Sequence, residues 1–169
     1  MIAHLSIPAR DPIRVGKVVA KLIDAILLPF PVVEGAVIAL ARDGSGFAVE
    51  VFPETVIHKP GTGMPVPGES TNGPSVRPWD FQMEHDATPP RGSAVHLALS
   101  TPLNKDEILA LGAAEGWRCI ATDRGGVFAP VELWLENRFL LEVMTREETE
   151  RYRQFAQPEL ATRMFGSEI

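Results

Sequence analysis

Several residue types that mark common protein classes are scarce in this sequence. Cys119 is the one cysteine among 169 residues, so an internal disulfide is impossible and nothing indicates an oxidising compartment. Its apolar neighbours predict a thiol buried in a strand. Lysine and arginine number 16 against 22 acidic residues, which gives a net charge of −6, and no basic run stands out. Because nucleic acids and anionic membranes select clustered positive charge, we expect neither as a partner.

Long apolar runs are also missing. The most apolar stretch, residues 18–40, is interrupted by Lys21, Asp24, Glu34 and two prolines, so it does not predict a membrane span. The first residues show neither the basic segment nor the apolar run of a signal peptide. These absences predict a cytoplasmic protein. The balance of 45% hydrophobic and 22% charged residues predicts a single globular domain over residues 1–169 with a substantial core.

Two repeated pairs of residues carry the functional signal. His4 and His96 each open a short apolar strand, and Glu50 and Glu142 each interrupt another one. The histidines are 92 residues apart, the glutamates are also 92 apart, and each histidine precedes its glutamate by 46 residues. The surrounding text repeats as well, with HLSIP matching HLALS and FAVEVF matching FLLEVM. A period this long indicates a duplicated module rather than a solenoid repeat.

The hydrophobic pattern and the turn signals divide the chain into two similar modules. Residues 1–54 form the first module, with strands predicted at 3–7, 35–41 and 47–52 and a helix at 12–26. Residues 93–145 form the second, with a helix predicted at 104–115 and strands at 93–100, 117–123, 131–136 and 138–144. Between them, residues 55–92 are rich in proline and glycine and predict an irregular connection. Residues 146–169 predict a closing amphipathic helix.

Strand alternation places both glutamates among apolar side chains. An uncompensated carboxylate in such surroundings is costly or keeps its proton, and a divalent cation removes that cost. Two imidazole nitrogens and two carboxylate oxygens suit Zn, Ni, Co, Mn or Fe, and they lack the thiolates usual in a structural zinc site. We therefore predict one metal ion bound by His4, Glu50, His96 and Glu142.

Each of these residues also has an ordinary structural interpretation. A single histidine near a strand start is more often hydrogen-bonded or exposed than a metal ligand, and a single glutamate in a strand usually faces water. The repetition of the pair favours the metal site. Glu54, beyond Glu50 on the same strand face, is an alternative carboxylate for the first module. His58 and His85 have no counterpart in the other module and are interpreted as loop residues.

The two modules together resemble the vicinal oxygen chelate superfamily, which contains glyoxalase I, extradiol dioxygenases, methylmalonyl-CoA epimerase and the fosfomycin and bleomycin resistance proteins. The resemblance covers residues 2–145, and its most specific text is VHLAL at 95–99 and NRFLLEV at 137–143. It implies an α+β fold in which two tandem βαβββ modules form a cup-shaped, largely antiparallel sheet with helices outside. It also implies a metal at the centre, held by one histidine and one glutamate from each module.

The order of the four ligands is similar to that of glyoxalase I. It implies a metal-dependent lyase or isomerase that acts on a small, metal-chelated carbonyl or hydroxy-acid substrate. Zn, Ni or Co would be the favoured divalent metal, with Mn or Fe also compatible with the donor atoms. The resemblance makes Glu142 the favoured catalytic base, and the pseudo-symmetry leaves Glu50 open for the same role. It also implies a homodimer.

Two other functions stay open within the same fold. A non-catalytic protein similar to the bleomycin-resistance proteins would bind a small molecule in the cup. An iron-dependent extradiol-type dioxygenase would use only three protein ligands. Arg10, Arg124 and Arg138 are cations available to a substrate, and the sequence singles out none of them. The Arg124-Gly125-Gly126 segment predicts a flexible loop at a strand end, where either a substrate anion or a plain turn would fit.

Overall fold

The chain divides into two compact units, each built around its own four-stranded sheet. The computed structural model describes residues 4–31, 33–59, 62, 78, 82–86, 96–157 and 163. The first unit contains Met1–Lys21 and Ala25–Arg91, and the second contains Leu22–Asp24 and Gly92–Ile169.

The first unit has the order strand, helix, three strands, followed by a separate pair of short strands. Its elements are β1 (His4–Ala9), α1 (Pro12–Leu22), β2 (Ala25–Pro29), β3 (Val37–Ala41), β4 (Ala48–Pro53), β5 (Val56–Lys59) and β6 (Gln82–His85), and only the last residue of α1, Leu22, is grouped with the second unit. The main sheet has the order β1-β4-β3-β2, in which β1 runs parallel to β4 and the other pairs are antiparallel. The strands β5 and β6 pair with each other in antiparallel fashion.

The second unit repeats this order and adds a helix. Its elements are β7 (Leu97–Ser100), α2 (Lys105–Glu115), β8 (Cys119–Ala121), β9 (Val131–Leu135), β10 (Phe139–Met144) and α3 (Arg146–Phe155). The sheet has the order β7-β10-β9-β8, again with one parallel pair, β7 and β10, and two antiparallel pairs. Both units thus have the βαβββ order, and the predicted α+β class is confirmed.

The strand register repeats between the two units. Across the parallel pair of the first unit, Ser6 is aligned with Glu50. Across the parallel pair of the second unit, Ala98 is aligned with Glu142, which is the same register displaced by 92 residues. Both glutamates therefore occupy the same place in the middle of a central strand. The spacing noticed in the sequence is a property of the backbone pairing.

The helix predicted at 12–26 is too long. α1 ends at Leu22, Asp24 adopts a left-handed conformation with φ of +47°, and residues 25–29 form β2. The sequence misleads here because the apolar residues that follow Leu22 fit a helical stripe and a buried strand equally well. β2 is an edge strand that pairs with β3, and such a strand tolerates Pro29 at its end.

The proline-rich connection is not irregular throughout. The pair formed by β5 and β6 lies inside residues 55–92, so the prediction of an irregular connection is wrong over those two strands. The prediction that His58 and His85 are loop residues is wrong for the same reason. His58 lies in β5, although its side chain is outside the described part of the chain, and Nδ1 of His85 lies 3.2 Å from Oγ1 of Thr55.

Glycines let both helices of the repeat pack directly on their sheets. A Cβ atom added at Gly16 in α1 would lie 2.7 Å from Cγ2 of Val37 and 2.8 Å from Cδ1 of Leu27. A Cβ atom at Gly112 in α2 would collide with Cβ of Cys119. The predicted thiol in a strand is thus partly buried under α2, and its Sγ lies 3.6 Å from the carbonyl oxygen of Ile108.

The helices α1, α2 and α3 are short. Asn104 caps α2 by a capping box with Glu107, and Gly116 ends that helix in the left-handed conformation. Thr145 caps α3, which ends at Phe155. Of the predicted closing helix, residues 158–162 and 164–169 lie outside the described residues. Over the ranges that are described, no helix is both long enough and apolar enough to cross a lipid bilayer.

Candidate metal centre

In the first unit, His4, Ser6 and Glu50 lie on one face of the sheet. Ser6 is the strand partner of Glu50, and its hydroxyl donates a 2.6 Å hydrogen bond to Glu50 Oε2. His4 is aligned with Ala48, two residues before Glu50, so its side chain leaves the backbone on the same face as the carboxylate. His4 is exposed and Glu50 is half-buried. This face therefore carries an imidazole, a hydroxyl and a carboxylate.

In the second unit, His96 and Glu142 are neighbours in space. His96 immediately precedes β7, and its side chain is 52% exposed, whereas the side chain of Glu142 is 13% exposed. The Nε2 atom of His96 lies 3.9 Å from Oε2 of Glu142. The histidine and glutamate that the repeat predicts as partners in this module thus come together.

Arg124 holds the other oxygen of Glu142. Its Nε and Nη2 atoms donate hydrogen bonds of 3.1 and 2.5 Å to Glu142 Oε1, and Nη2 also donates a 2.8 Å bond to Glu132 Oε1. Glu132 is directly opposite Glu142 across β9 and β10, where two like charges would repel each other. The guanidinium compensates both carboxylates, so the second unit supplies a cation of its own at this place.

The pKa values reflect this cluster. Hydrogen bonds to Glu142 and then to Glu132 raise the pKa of the Arg124 guanidinium. The hydrogen bond from Arg124 is the largest cause that lowers the pKa of Glu132, against the opposing effect of partial burial. The side chain of Arg124 is 35% exposed and that of Glu132 is 17% exposed, so solvent and salt screen these ion pairs only in part.

The loop that carries Arg124 is anchored to α3. We call residues 124–129 the Arg124 loop. Arg151 donates a 2.7 Å hydrogen bond to the carbonyl oxygen of Gly126, and the backbone N–H of Ala129 donates a 2.6 Å bond to Glu148. Arg151 and Glu148 also pair with each other at 2.9 Å. The sequence predicts a flexible loop here, and the structure shows a turn that several hydrogen bonds fix to a helix.

The surroundings of the two glutamates differ although their backbone positions match. The residue opposite Glu50 on β3 is Ile38, whereas the residue opposite Glu142 on β9 is Glu132. Ser6 contacts Glu50 from the parallel strand, whereas Ala98, which has no hydroxyl, occupies that place beside Glu142. One carboxylate therefore accepts a hydrogen bond from a neutral hydroxyl, and the other accepts two from a guanidinium.

In the second unit, the distance between His96 and Glu142 is compatible with two of the four predicted metal ligands. Bonds of about 2.0–2.2 Å from one cation to an imidazole nitrogen and a carboxylate oxygen span up to about 4.3 Å. The 3.9 Å between His96 and Glu142 lies within that reach. Among the described residues, no group of three histidine, cysteine, aspartate or glutamate side chains is arranged to hold a metal. Binding of one ion by both modules stays a prediction.

The alternative carboxylate of the first module lies outside the sheet. Glu54 follows the end of β4 at Pro53, and its backbone N–H donates a 2.8 Å hydrogen bond to the carbonyl oxygen of Ala9. It is half-buried in the turn between β4 and β5. Because the strand has ended, the alternation that would align Glu54 with Glu50 no longer applies.

Comparison with known proteins identifies the fold of the chain, but the comparisons by sequence find no match. No protein-family model matches the chain. No curated protein matches it with a significant score.

Solved structures match the chain over most of its length. The fosfomycin resistance protein FosX from Listeria monocytogenes, in complex with Mn(II) and a sulfate ion, is 11% identical, with a TM-score of 0.52 over 92% of this chain and 97% of that chain. A FosX variant from the same organism, in complex with Mn(II) and 1S,2S-dihydroxypropylphosphonic acid, is 12% identical, with a TM-score of 0.50 over 88% and 95%. A glyoxylase/bleomycin resistance protein/dioxygenase domain from Frankia sp. EAN1pec is 14% identical, with a TM-score of 0.50 over 86% and 96%. The chain thus has the vicinal oxygen chelate fold, and the resemblance found in the sequence is confirmed at the level of the fold.

Proposed function

We propose that this protein is a metal-dependent lyase or isomerase of glyoxalase type that acts on a small carbonyl or hydroxy-acid substrate. His4, Glu50, His96 and Glu142 would hold one divalent cation. The observation that carries the proposal is the repeated register, in which each unit places a glutamate at the same point of a central strand. A histidine lies at the start of the neighbouring strand in the first unit and immediately before it in the second. The 3.9 Å approach of His96 to Glu142 supports it.

The cation would polarise the substrate oxygen that it binds and stabilise negative charge developing there. We favour Zn, Ni or Co, and Mn or Fe are also compatible with two imidazoles and two carboxylates. The Mn(II) bound in the FosX complexes supports a divalent metal in this fold. A homodimer and a cytoplasmic location, both expected from the sequence, remain part of the proposal.

Glu50 is the better candidate for the catalytic base. A base must turn toward the substrate proton, and two charge-assisted hydrogen bonds from Arg124 hold the Glu142 carboxylate in place. Glu50 accepts its hydrogen bond from the neutral hydroxyl of Ser6. Glu50 would take a proton from the carbon next to the substrate carbonyl and return it to the adjacent carbon. Ser6 would hold the carboxylate in position during both transfers.

The test begins with elemental analysis of protein purified without chelators. Turnover is then measured with methylglyoxal–thiol adducts and with hydroxy acids that can epimerise. Glu50→Gln should lower kcat by about 10²–10⁴-fold, the usual contribution of a general base. Glu142→Gln should reduce metal content as well as turnover. If Glu50→Gln keeps the activity of the unaltered protein, Glu50 is not the base.

A second candidate function has one specific observation in its favour. Arg124 neutralises Glu142 and Glu132 through hydrogen bonds, so these two carboxylates do not need a metal ion for charge compensation. A non-catalytic protein that binds a small molecule would be purified without stoichiometric metal and would bind small ligands with no turnover. Stoichiometric iron with three protein ligands would instead support a dioxygenase of extradiol type.

A further inference from the structure

We propose that Arg124 competes with the divalent cation for Glu142 and thereby sets the metal affinity of this protein. The inference rests on the proposed function, since it takes Glu142 as a metal ligand. It adds that the ion binds fully only when the guanidinium gives up its hydrogen bonds to that carboxylate.

The competition follows from the two oxygens of one carboxylate. Oε1 of Glu142 accepts both hydrogen bonds from Arg124, and Oε2 faces Nε2 of His96. A cation bound to His96 and Glu142 would therefore share a carboxylate with a guanidinium. The two positive charges would repel each other, and solvent screens that repulsion only in part because the side chains of Arg124 and Glu142 are 35% and 13% exposed.

Glu132 is an alternative hydrogen-bond partner for Arg124. Nη2 of Arg124 already donates a 2.8 Å hydrogen bond to Glu132 Oε1, so the guanidinium can leave Glu142 and stay paired. The backbone need not move, because α3 fixes the Arg124 loop through Gly126 and Ala129. The exchange is thus a rotation of one side chain between two carboxylates that face each other across β9 and β10.

Among the described residues of the first unit, no such exchange is available at the matching position. Glu50 lies opposite Ile38 and accepts its hydrogen bond from Ser6. The competition therefore acts on one of the two predicted carboxylate ligands. It should be visible as a change in the affinity for the metal alone, without any substrate.

The experiment measures Mn(II) affinity by isothermal titration calorimetry for the chelator-stripped protein and for Arg124→Gln. The variant should bind Mn(II) about tenfold or more tightly than the unaltered chain, because the competing charge is gone. Arg153→Gln is the matched control, since it removes the same charge from an exposed pair with Glu150. It should change the affinity by less than about twofold.

A double-mutant cycle tests the role of Glu132. Glu132→Gln should weaken Mn(II) binding in the unaltered chain, because Arg124 then has only Glu142 as a partner. The same change should have a much smaller effect in the Arg124→Gln background. Arg124→Lys, which keeps a charge but loses the planar fork, should give an affinity between those of the unaltered chain and Arg124→Gln.

Three results would overturn the inference, and they are distinct. Equal affinities of the unaltered chain and Arg124→Gln would refute the competition and leave the proposed function standing. Weaker binding by both Arg124→Gln and Arg124→Lys would mean that Arg124 positions Glu142 for the metal. Absence of Mn(II) binding in every variant would refute both the inference and the metal-dependent function.

Discussion

Removal of Arg124 should destabilise the protein in a manner that depends on pH. In Arg124→Gln, Glu132 and Glu142 would face each other across two strands without the guanidinium between them. Three charge-assisted hydrogen bonds of 2.5–3.1 Å are lost. Hydrogen bonds to charged groups contribute about 1.5–3 kcal/mol each when buried, and partial exposure reduces that contribution. We expect a loss of about 1–3 kcal/mol in the free energy of unfolding at pH 7.

The sign of the pH dependence follows from Glu132. Arg124 lowers the pKa of Glu132 in the folded protein, so the folded state binds fewer protons than the unfolded chain in the range where glutamate titrates. This stabilisation is fully present above the ordinary glutamate pKa of about 4.3. It is lost as the pH falls through the lowered value of the folded state. The difference between the unaltered chain and Arg124→Gln should therefore shrink in acid.

Urea unfolding followed by tryptophan fluorescence measures this difference at pH 7 and at about pH 3.5. The buffers contain a chelator so that metal binding does not contribute to stability. Arg153→Gln, from the exposed pair with Glu150, is the control for net charge and should cost less than about 1 kcal/mol at either pH. An equal loss at both pH values, or no loss at pH 7, would refute the assignment of Glu132 as an ionised partner of Arg124.

Two further predictions concern the elements that position the site. Gly112→Ala should destabilise the second unit by about 1–3 kcal/mol, because the added Cβ collides with Cys119, and Ala114→Ser on the exposed side of α2 is the control in urea unfolding. An unchanged unfolding midpoint would contradict the close packing of α2 on the sheet. Arg151→Gln should leave global stability nearly unchanged but speed amide hydrogen exchange in residues 124–129, because the bond to Gly126 is lost. Exchange rates equal to those of the unaltered chain would show that α3 does not anchor the Arg124 loop.

The position of the glutamates could be predicted from the sequence because it depends on local pattern. Strand alternation and an identical spacing locate Glu50 and Glu142, and the backbone register repeats as that spacing requires. The extent of α1 could not be predicted in the same way. The left-handed conformation of Asp24 separates a helix from a strand of similar hydrophobicity, and no local preference fixes that boundary.

Of the two residues around Glu142, Glu132 could be located from the sequence and Arg124 could not. The tight turn at Glu136 and Asn137, both with positive φ, joins β9 and β10, and counting back through it places Glu132 opposite Glu142. Arg124 could not be found by such counting. Its contact with Glu142 depends on a loop whose position is set by α3, which comes later in the chain. The sequence pattern of a strand predicts which face of the sheet a side chain occupies. It does not predict which cationic side chain from a distant part of the chain contacts that face.

The two modules share a backbone and differ in the charge around the shared carboxylate. Ser6 and Ile38 flank Glu50, whereas Ala98 and Glu132 flank Glu142 at the same two register positions. Replacing an apolar neighbour by a second carboxylate is unfavourable unless a cation joins them, and Arg124 is that cation. The second unit therefore needs its arginine for stability whether or not a metal binds. That requirement is the physical reason why we propose Glu50 for proton transfer and Arg124, through Glu142, for control of metal affinity.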